Sequence, residues 1–481
     1  MPPPNIHGLA IERTTISNLL VITVPAGRKT QGWSRGWRLQ LNATAGFPEL
    51  LATQRNEFFE SELGTTRGLH ITDRAQVISI SSGRIYFAFV DLRLGPDFGV
   101  VFTAELGSMQ AVVVPRGVGV GLQTTERNTG YTAETEAQPA VSSTVVSVDI
   151  ADTALPIDWP IPLRSAALPV RQQRHARLEE ISPVLPLKIL VLGADGQLGR
   201  ALQEVYAGDP TVEFASRSEI DLAKTDLLTV RNWTGYGAVI NAAAFTAVDA
   251  AETSEGRAQA WEANVAGVSR LARTCSIYGM TLIHVSSDYV FDGAAEQPYC
   301  EDDPVCPVSV YGQTKAAGDS VVAMVARHYI IRTTWLVGDG SNFIRTMIKL
   351  GHSGINPSVV KDQKGRLTAT ADVARAIQHL HSTRADYGIY NLSSSGPSMS
   401  WADIARRVFV LAGYNPELIT DTDSATFRSS RPGPIAERPA NSVLDLRKIE
   451  ATGFVPRHVD DWLPTYVLEA TGRTGCRTEI G

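Results

Sequence analysis

The sequence predicts two domains of different class: an all-β domain, followed by an α/β domain built on a doubly wound parallel sheet. Three observations lead there. The chain has 481 residues, more than one ordinary hydrophobic core accommodates. Residues 1 to 163 form a run of short β-rich segments punctuated by Gly and Pro, the pattern of a barrel or jelly roll. Residues 188 to 481 alternate short apolar strands with helical stretches, and they open on a strand that runs directly into a glycine loop.

Composition sets the class. Apolar residues make up 43% and charged residues 20%, as in globular proteins. The net charge of −6 gives nucleic acid or an anionic membrane nothing to bind. No apolar run approaches the ~18 residues that span a bilayer. The N-terminus, MPPPNIHGLAIERTT, lacks the basic and apolar regions of a secretory signal, so a cytoplasmic protein is expected. The four cysteines, Cys275, Cys300, Cys306 and Cys476, match no zinc spacing, and they read as reduced thiols with no metal.

In the first domain, Ala75–Asp91 holds two β-rich runs around Ser81-Ser82-Gly83, a hairpin signal. Val100–Val114 continues the pattern, and Val141–Val148 gives a further strand. Several words here, Arg67-Gly68-Leu69-His70, Val90-Asp91-Leu92-Arg93, Gly95-Pro96-Asp97-Phe98-Gly99, Pro115-Arg116-Gly117 and Ile157-Asp158-Trp159-Pro160, resemble the cupin-type dTDP-4-dehydrorhamnose 3,5-epimerase family in order and spacing. The resemblance implies a cupin or jelly roll. It also implies that His70 is a base removing protons beside a ketone and that Tyr131 is the acid on the other face. Three departures stand out. The family lysine falls near Gln76, its second histidine falls on Val120, and no acid follows the Trp-Pro word to orient the base. Residues 164–187, charged and broken by prolines, read as a linker.

In the second domain, Lys188–Leu192 (KILVL) is a short buried strand. It leads into Gly193, Gly196, Gln197, Leu198 and Gly199 of GADGQLG, and then into a helical segment. Strand, glycine loop, helix is a dinucleotide-binding context, in which the backbone approaches a pyrophosphate at the helix N-terminus. Thr211–Ser216 is the next strand. An NAD-selective site usually has an acid at its end, but here Ser216 and Arg217 stand there, a pair suited to a 2′-phosphate. NADPH is therefore expected, with NADH the alternative. Asp221 and Leu222 follow on the adenine side. Ala238–Ala244 is another strand, whose small residues Ala243 and Ala244, with Phe245, leave room for a nicotinamide ribose.

Thr281–Ser286 is a strand ending at a hydroxyl pair, Ser286-Ser287. Tyr311 lies 24 residues beyond Ser287, and Lys315 four beyond that. Tyr and Lys at i and i+4 share a helix face. An ammonium there is expected to lower the phenol's pKa, and a serine hydroxyl nearby can bond the same substrate oxygen. That combination suits a carbonyl being reduced.

Taken together, GADGQLG, NAAAFTAVD, HVSSDYVFDG, VYGQTKAAGD, RTTWLVGDGSNF and RPANSVLD resemble dTDP-4-dehydrorhamnose reductase, an extended short-chain reductase with a Rossmann core and a small substrate lobe. The resemblance implies that Tyr311 is the proton donor, that Lys315 holds the nicotinamide ribose, and that Ser287 stands in for the family threonine. Asp288, Trp335, Arg438 and Asn441 are then substrate contacts, the substrate is a nucleotide sugar, and the chain is a homodimer. Leu367 replaces the proline of a family word and is expected to loosen a loop. One rival reading keeps the reductase and makes the first domain an inactive scaffold with His70 non-catalytic; another is a non-catalytic, nucleotide-binding regulatory subunit. A reductase of another nucleotide-linked 4-ketosugar is the other alternative.

Overall fold

The first half of the chain closes its core between two antiparallel sheets. In the computed structural model, which describes residues 10–23, 53–71, 74–136, 146–168 and 175–472, the strands are β1 (Ala10–Arg13), β2 (Leu20–Thr23), β3 (Thr53–Glu60), β4 (Thr66–Ile71), β5 (Gln76–Ser82), β6 (Arg84–Asp91), β7 (Val101–Gly107), β8 (Gln110–Val114), β9 (Val118–Thr124), β10 (Thr129–Glu136) and β11 (Val146–Val148). One sheet runs β1-β2-β8-β5-β10-β3 and the other β11-β4-β9-β6-β7. Alternate residues face inward. Phe87 and Phe89 of β6, ring centroids 5.6 Å apart, share one core with Ile78 and Ile80 of β5 and Tyr131 of β10.

The expected hairpin at Ser81-Ser82-Gly83 is not one. β5 pairs with β8 and β10, whereas β6 pairs with β7 and β9. Gly83 turns the chain from one sheet to the other at φ +72°, and a Cβ there would meet Thr129 Oγ1 at 2.3 Å. Of the expected Val141–Val148 strand, residues 141–145 lie outside the described residues, as do residues 1–9 and 473–481 with Cys476.

The linker expectation also needs correction. The chain divides between Pro186 and Leu187, and the stretch before that point belongs to the first unit. Ala167, Ala176 and Val184 bridge to Thr65, Val148 and Arg93. Leu178, Ile181 and Val184 pack with Leu69, Leu92 and Val148, and this apolar set keeps a charged segment docked.

The second unit is a six-stranded parallel sheet: β12 (Lys188–Leu192), β13 (Val212–Ala215), β14 (Tyr236–Asn241), β15 (Thr281–Ser287), β16 (His328–Thr333) and β17 (Gly388–Leu392), in the order β13-β12-β14-β15-β16-β17. The middles of its strands are largely apolar because both faces are covered. Val191, Ile240, Ile283 and Ile331 pack on helices α1 (Gln197–Val205) and α6 (Thr370–Thr383). Leu190, Val239, Leu282 and Ile330 pack on α3 (Gly267–Tyr278) and α4 (Val310–Val322). Between α2 (Ser254–Trp261) and α3 the helix widens into a π segment, Glu262–Ala266.

The strand order reverses between β12 and β14, which opens a crevice at the carboxyl ends. A smaller lobe packs α5 (Phe343–His352), α7 (Trp401–Ala412) and α8 (Val459–Ala470) around its own core. Leu367 belongs to that core at 1% exposure, and its carbonyl accepts from Ser394 N–H. The loop is anchored rather than loosened. No helix among the described residues is long and apolar enough to cross a membrane.

Candidate active site

A cavity of about 1100 Å³ lies at the carboxyl ends of the parallel strands. Gly193, Gly196, Gln197 and Leu198 form one wall, and Arg217, Asp221 and Leu222 continue it. Ala243, Ala244 and Phe245 line it as well, with Ser287, Asp288, Tyr311, Lys315 and Trp335.

The glycine loop fits a dinucleotide. Gly193 has φ +82°, and a Cβ on it would sit 2.8 Å from Ala243 N. A Cβ on Gly199 would meet Gly193 O at 2.2 Å, so this glycine lets α1 pack against the loop rather than lining the cavity. Gly196 precedes α1 and gives it no side-chain cap. The first amides of the helix are thereby left for an anion.

At the end of β13, Ser216 does not line the cavity. Its N–H and Oγ both donate to Glu219, at 2.8 and 2.9 Å, an acid that the strand-end pattern missed by three residues. Arg217 is 82% exposed, 3.4 Å from Asp221.

Ser287 ends β15, and α4 is capped by Ser309, whose hydroxyl accepts from Gly312 N–H. Gly312 allows the helix to lie against the backbone of Tyr289, where a Cβ would meet the carbonyl at 2.2 Å. Ser287 Oγ donates to Asp288 Oδ1 at 3.0 Å and bonds the Tyr311 phenol. Burial lifts the Asp288 carboxyl to about 7, while the Ser442 and Ser287 hydroxyls oppose the shift. The Tyr311 phenol is pushed up, by burial first and then by Asp288 and Tyr289. This runs against the expected lowering by Lys315. The cause is visible in the lysine's own bonds, since its Nζ is turned to Val285 O (2.8 Å) and His284 Nε2 (3.2 Å). Burial lowers Lys315 to about 8, opposed by Asp319.

On the lobe side, Trp335 (φ 39°) stacks on Trp401 at 3.8 Å. Gly365 makes room for the indole, because a Cβ there would come within 2.8 Å of it. Trp401 opens α7 as the first residue inside the Ser400–Asp403 capping box, a signal that could have placed it. Two expected substrate contacts are not on the cavity wall. Arg438 pairs with Asp249 at 2.9 and 3.1 Å and bonds Tyr289 from behind. Asn441 donates to Ala295 O at 2.8 Å and ties down the loop after Gly293. Tyr289, Trp401 and Glu262 line the cavity unforeseen. Asn264, in the π segment, clamps the Phe245 backbone and Thr314 of α4.

The first unit places His70 on β4 beside Val120 of β9, so the family's second histidine would have been its direct neighbour. His70 Nδ1 meets Ser147 Oγ at 2.9 Å, and burial, His175 and Arg67 lower its pKa. Tyr131, on the opposite sheet, is raised to about 12 by burial and bonds Arg67, which also holds Glu60 at 2.9 Å. Gln76 is buried in β5.

A doubly wound sheet with a glycine loop, and a Ser-Tyr-Lys set across the same cavity, defines a reductase of the short-chain type. The family described as RmlD substrate binding domain matches residues 187–471, and that described as dTDP-4-dehydrorhamnose 3,5-epimerase matches residues 13–180. The chain is 36% identical to the dTDP-4-dehydrorhamnose reductase of Mycolicibacterium smegmatis, over 62% of its own length and 88% of the relative's. It is 38% identical to that of Streptomyces griseus, over 61% and 98%. Among solved structures it resembles a dTDP-4-dehydrorhamnose reductase from Clostridium acetobutylicum (TM-score 0.54, 36% identity, 58% of this chain and 98% of that one). It also resembles one from Bacillus anthracis in complex with NADP (TM-score 0.51, 30% identity, 60% and 98%). The chain belongs to the dTDP-4-dehydrorhamnose reductase family and carries an epimerase-like domain at its N-terminal end.

Proposed function

We propose that the second unit reduces the C4 ketone of dTDP-4-dehydro-L-rhamnose with NADPH, giving dTDP-L-rhamnose. The observation that supports this most is the meeting of Ser287, Tyr311 and Lys315 with the glycine loop around one cavity. NADPH, when bound, supplies the hydride. Tyr311, whose raised pKa keeps the phenol loaded, gives its proton to the ketone oxygen as negative charge builds there. The Ser287 hydroxyl turns from Asp288 to donate to the phenolate that remains, and the Lys315 ammonium one turn away balances its charge. Arg217 is the residue for a 2′-phosphate, and Trp335 and Trp401 are the aromatic wall for the sugar nucleotide. Arg438 and Asn441 act at one remove, through Tyr289 and the loop after Gly293. The test is NADPH oxidation with purified dTDP-4-dehydro-L-rhamnose, the product identified by NMR. Absence of oxidation by chain that binds NADPH would remove this reading.

The first unit keeps a base and an acid, and we read it as a slow epimerase. His70 is held neutral and oriented by Ser147, and Tyr131 is held protonated, which suits proton removal on one face and delivery on the other. The chain should therefore consume NADPH when given dTDP-4-keto-6-deoxyglucose alone, and faster when a separate epimerase is added. Consumption only after that addition would leave the first unit inactive. On this reading the chain works as a cytoplasmic homodimer, where NADPH and nucleotide sugars are made. Light scattering at twice the chain mass checks the dimer.

A further inference from the structure

The amine of Lys315 is engaged by the Val285 carbonyl and by a histidine that the reaction has not used. His284 lies on β15 and is wholly buried. Its Nε2 is 3.2 Å from Lys315 Nζ, and its Nδ1 is 3.0 Å from Asn241 Nδ2. This chain of bonds has a direction. Ala243 N–H donates to Asn241 Oδ1 at 3.1 Å. A backbone amide can only donate, so this bond fixes which end of the Asn241 amide faces the ring. The Nδ2 end meets His284 Nδ1, which must accept. The ring proton then sits on Nε2, pointed at the lysine.

An ammonium has donors only, whereas a neutral amine keeps a lone pair. The tautomer that Asn241 imposes thus favours the neutral amine, which still donates to Val285 O. A charged amine is accommodated when His284 moves its proton to Nδ1 and Asn241 turns over, at the loss of the Ala243 bond. Ala243 lines the cavity, so the far end of the chain lies where a cofactor would bind.

We propose that His284 is a positioning residue for the reduction: through the tautomer set by Asn241 and Ala243 N–H, it fixes where the Lys315 amine sits and how readily that amine takes a proton. The proposal rests on Lys315 belonging to the reacting site. The other titratable groups around the pair are accounted for. Asp319, on the same helix as Lys315, is paired with Arg332 of β16 at 3.1 Å, and Asp288 and Tyr311 lie on the cavity side. The π segment packs the backbone carbonyl of Asn264, an uncharged residue, against Gly318, where a Cβ would lie 3.9 Å from His284 Nε2. Burial of Lys315, with its amine brought down to about 8, agrees with a lysine poised between its two forms.

The test uses the full chain with labelled histidine. NMR of the ring nitrogens, with the His284 signal identified by its loss in His284→Gln, reads the tautomer directly. Above pH 8, where the amine is neutral, the expected result is a protonated Nε2 and a bare Nδ1. Asn241→Asp offers only acceptors, so it should reverse the tautomer and move the alkaline limb of kcat up by about one pH unit. NADPH affinity and thermal midpoint report folding in each variant. A protonated Nδ1 in the unaltered chain above pH 8 overturns the proposal, and so does an unmoved limb in Asn241→Asp that binds NADPH normally. Failure to oxidise NADPH at all would sink the reductase reading, and the tautomer measurement would still decide this one.

Discussion

Tyr311→Phe removes one oxygen and little else. The ring keeps its edge contact with Tyr289, centroids 5.7 Å apart, and α4 keeps its Ser309 cap. The lost hydroxyl bonds Ser287, a contact worth about 1 kcal/mol to stability, so the variant should fold and bind NADPH as before. The reaction loses its proton donor. General acid catalysis contributes roughly a hundred- to ten-thousand-fold, or about 2.7 to 5.4 kcal/mol of barrier, and kcat should fall by that factor. The assay is single-turnover NADPH oxidation with saturating sugar nucleotide, so that product release does not mask the step. The pH dependence sharpens the test. Burial and Asp288 raise the phenol's pKa, so Tyr311 stays protonated as pH rises. Lys315, lowered to about 8, deprotonates first. Activity should therefore decline on the alkaline side near pH 8, and the residual turnover of Tyr311→Phe should keep that decline. A kcat within tenfold of the unaltered chain would refute Tyr311 as the donor.

Three further outcomes are expected. Gly199→Ala places a Cβ 2.2 Å from Gly193 O and 2.5 Å from Ala194 O, both backbone atoms that cannot swing away. The loop must move, at a cost of about 1–3 kcal/mol, and NADPH affinity measured by fluorescence should fall by roughly tenfold or more. Asp319→Ala leaves the Arg332 guanidinium, 4% exposed, buried without its counter-charge. Denaturant unfolding of the second unit should show a loss of about 3–5 kcal/mol, most of it restored by adding Arg332→Leu. Arg217→Ala removes an exposed cation, so the melting temperature should hold. KM for NADPH should rise about tenfold, the loss of one charge-assisted bond, while KM for NADH stays put. Equal changes for both cofactors would mean that Arg217 does not read the 2′-phosphate.

The parallel sheet was legible in the sequence because its strands are buried on both faces, and a strand such as KILVL announces itself without a neighbour. The ends were less legible. Ala242–Ala244 continue the apolar run of β14 after the strand has stopped at Asn241, since small residues suit a strand and a cofactor floor equally. Sheet membership was not legible at all around Gly83. Two alternating runs joined by Ser-Ser-Gly look the same whether the chain folds back or crosses to the other sheet, and only the partners β9 and β10, far along the chain, decide it. The docked segment before Pro186 was hidden for a different reason. Leu178, Ile181 and Val184 are spaced among charges, and their partners Leu69 and Leu92 lie a hundred residues away. At the site, a motif names residue types but not which way a side chain points. Arg438 and Asn441 stand in the expected word, yet Asp249 and the Ala295 carbonyl satisfy them first. His284 shows the converse. Inside TLIHVS it reads as one polar residue in a buried strand, and nothing local shows that both its nitrogens are engaged. A fully buried imidazole needs partners for both of them, and here those partners are an amide that fixes the tautomer and the lysine of the reacting site. The strand that presents Ser287 to the cavity therefore also anchors Lys315 from behind, which ties the spacing of hydroxyl and amine to one rigid element.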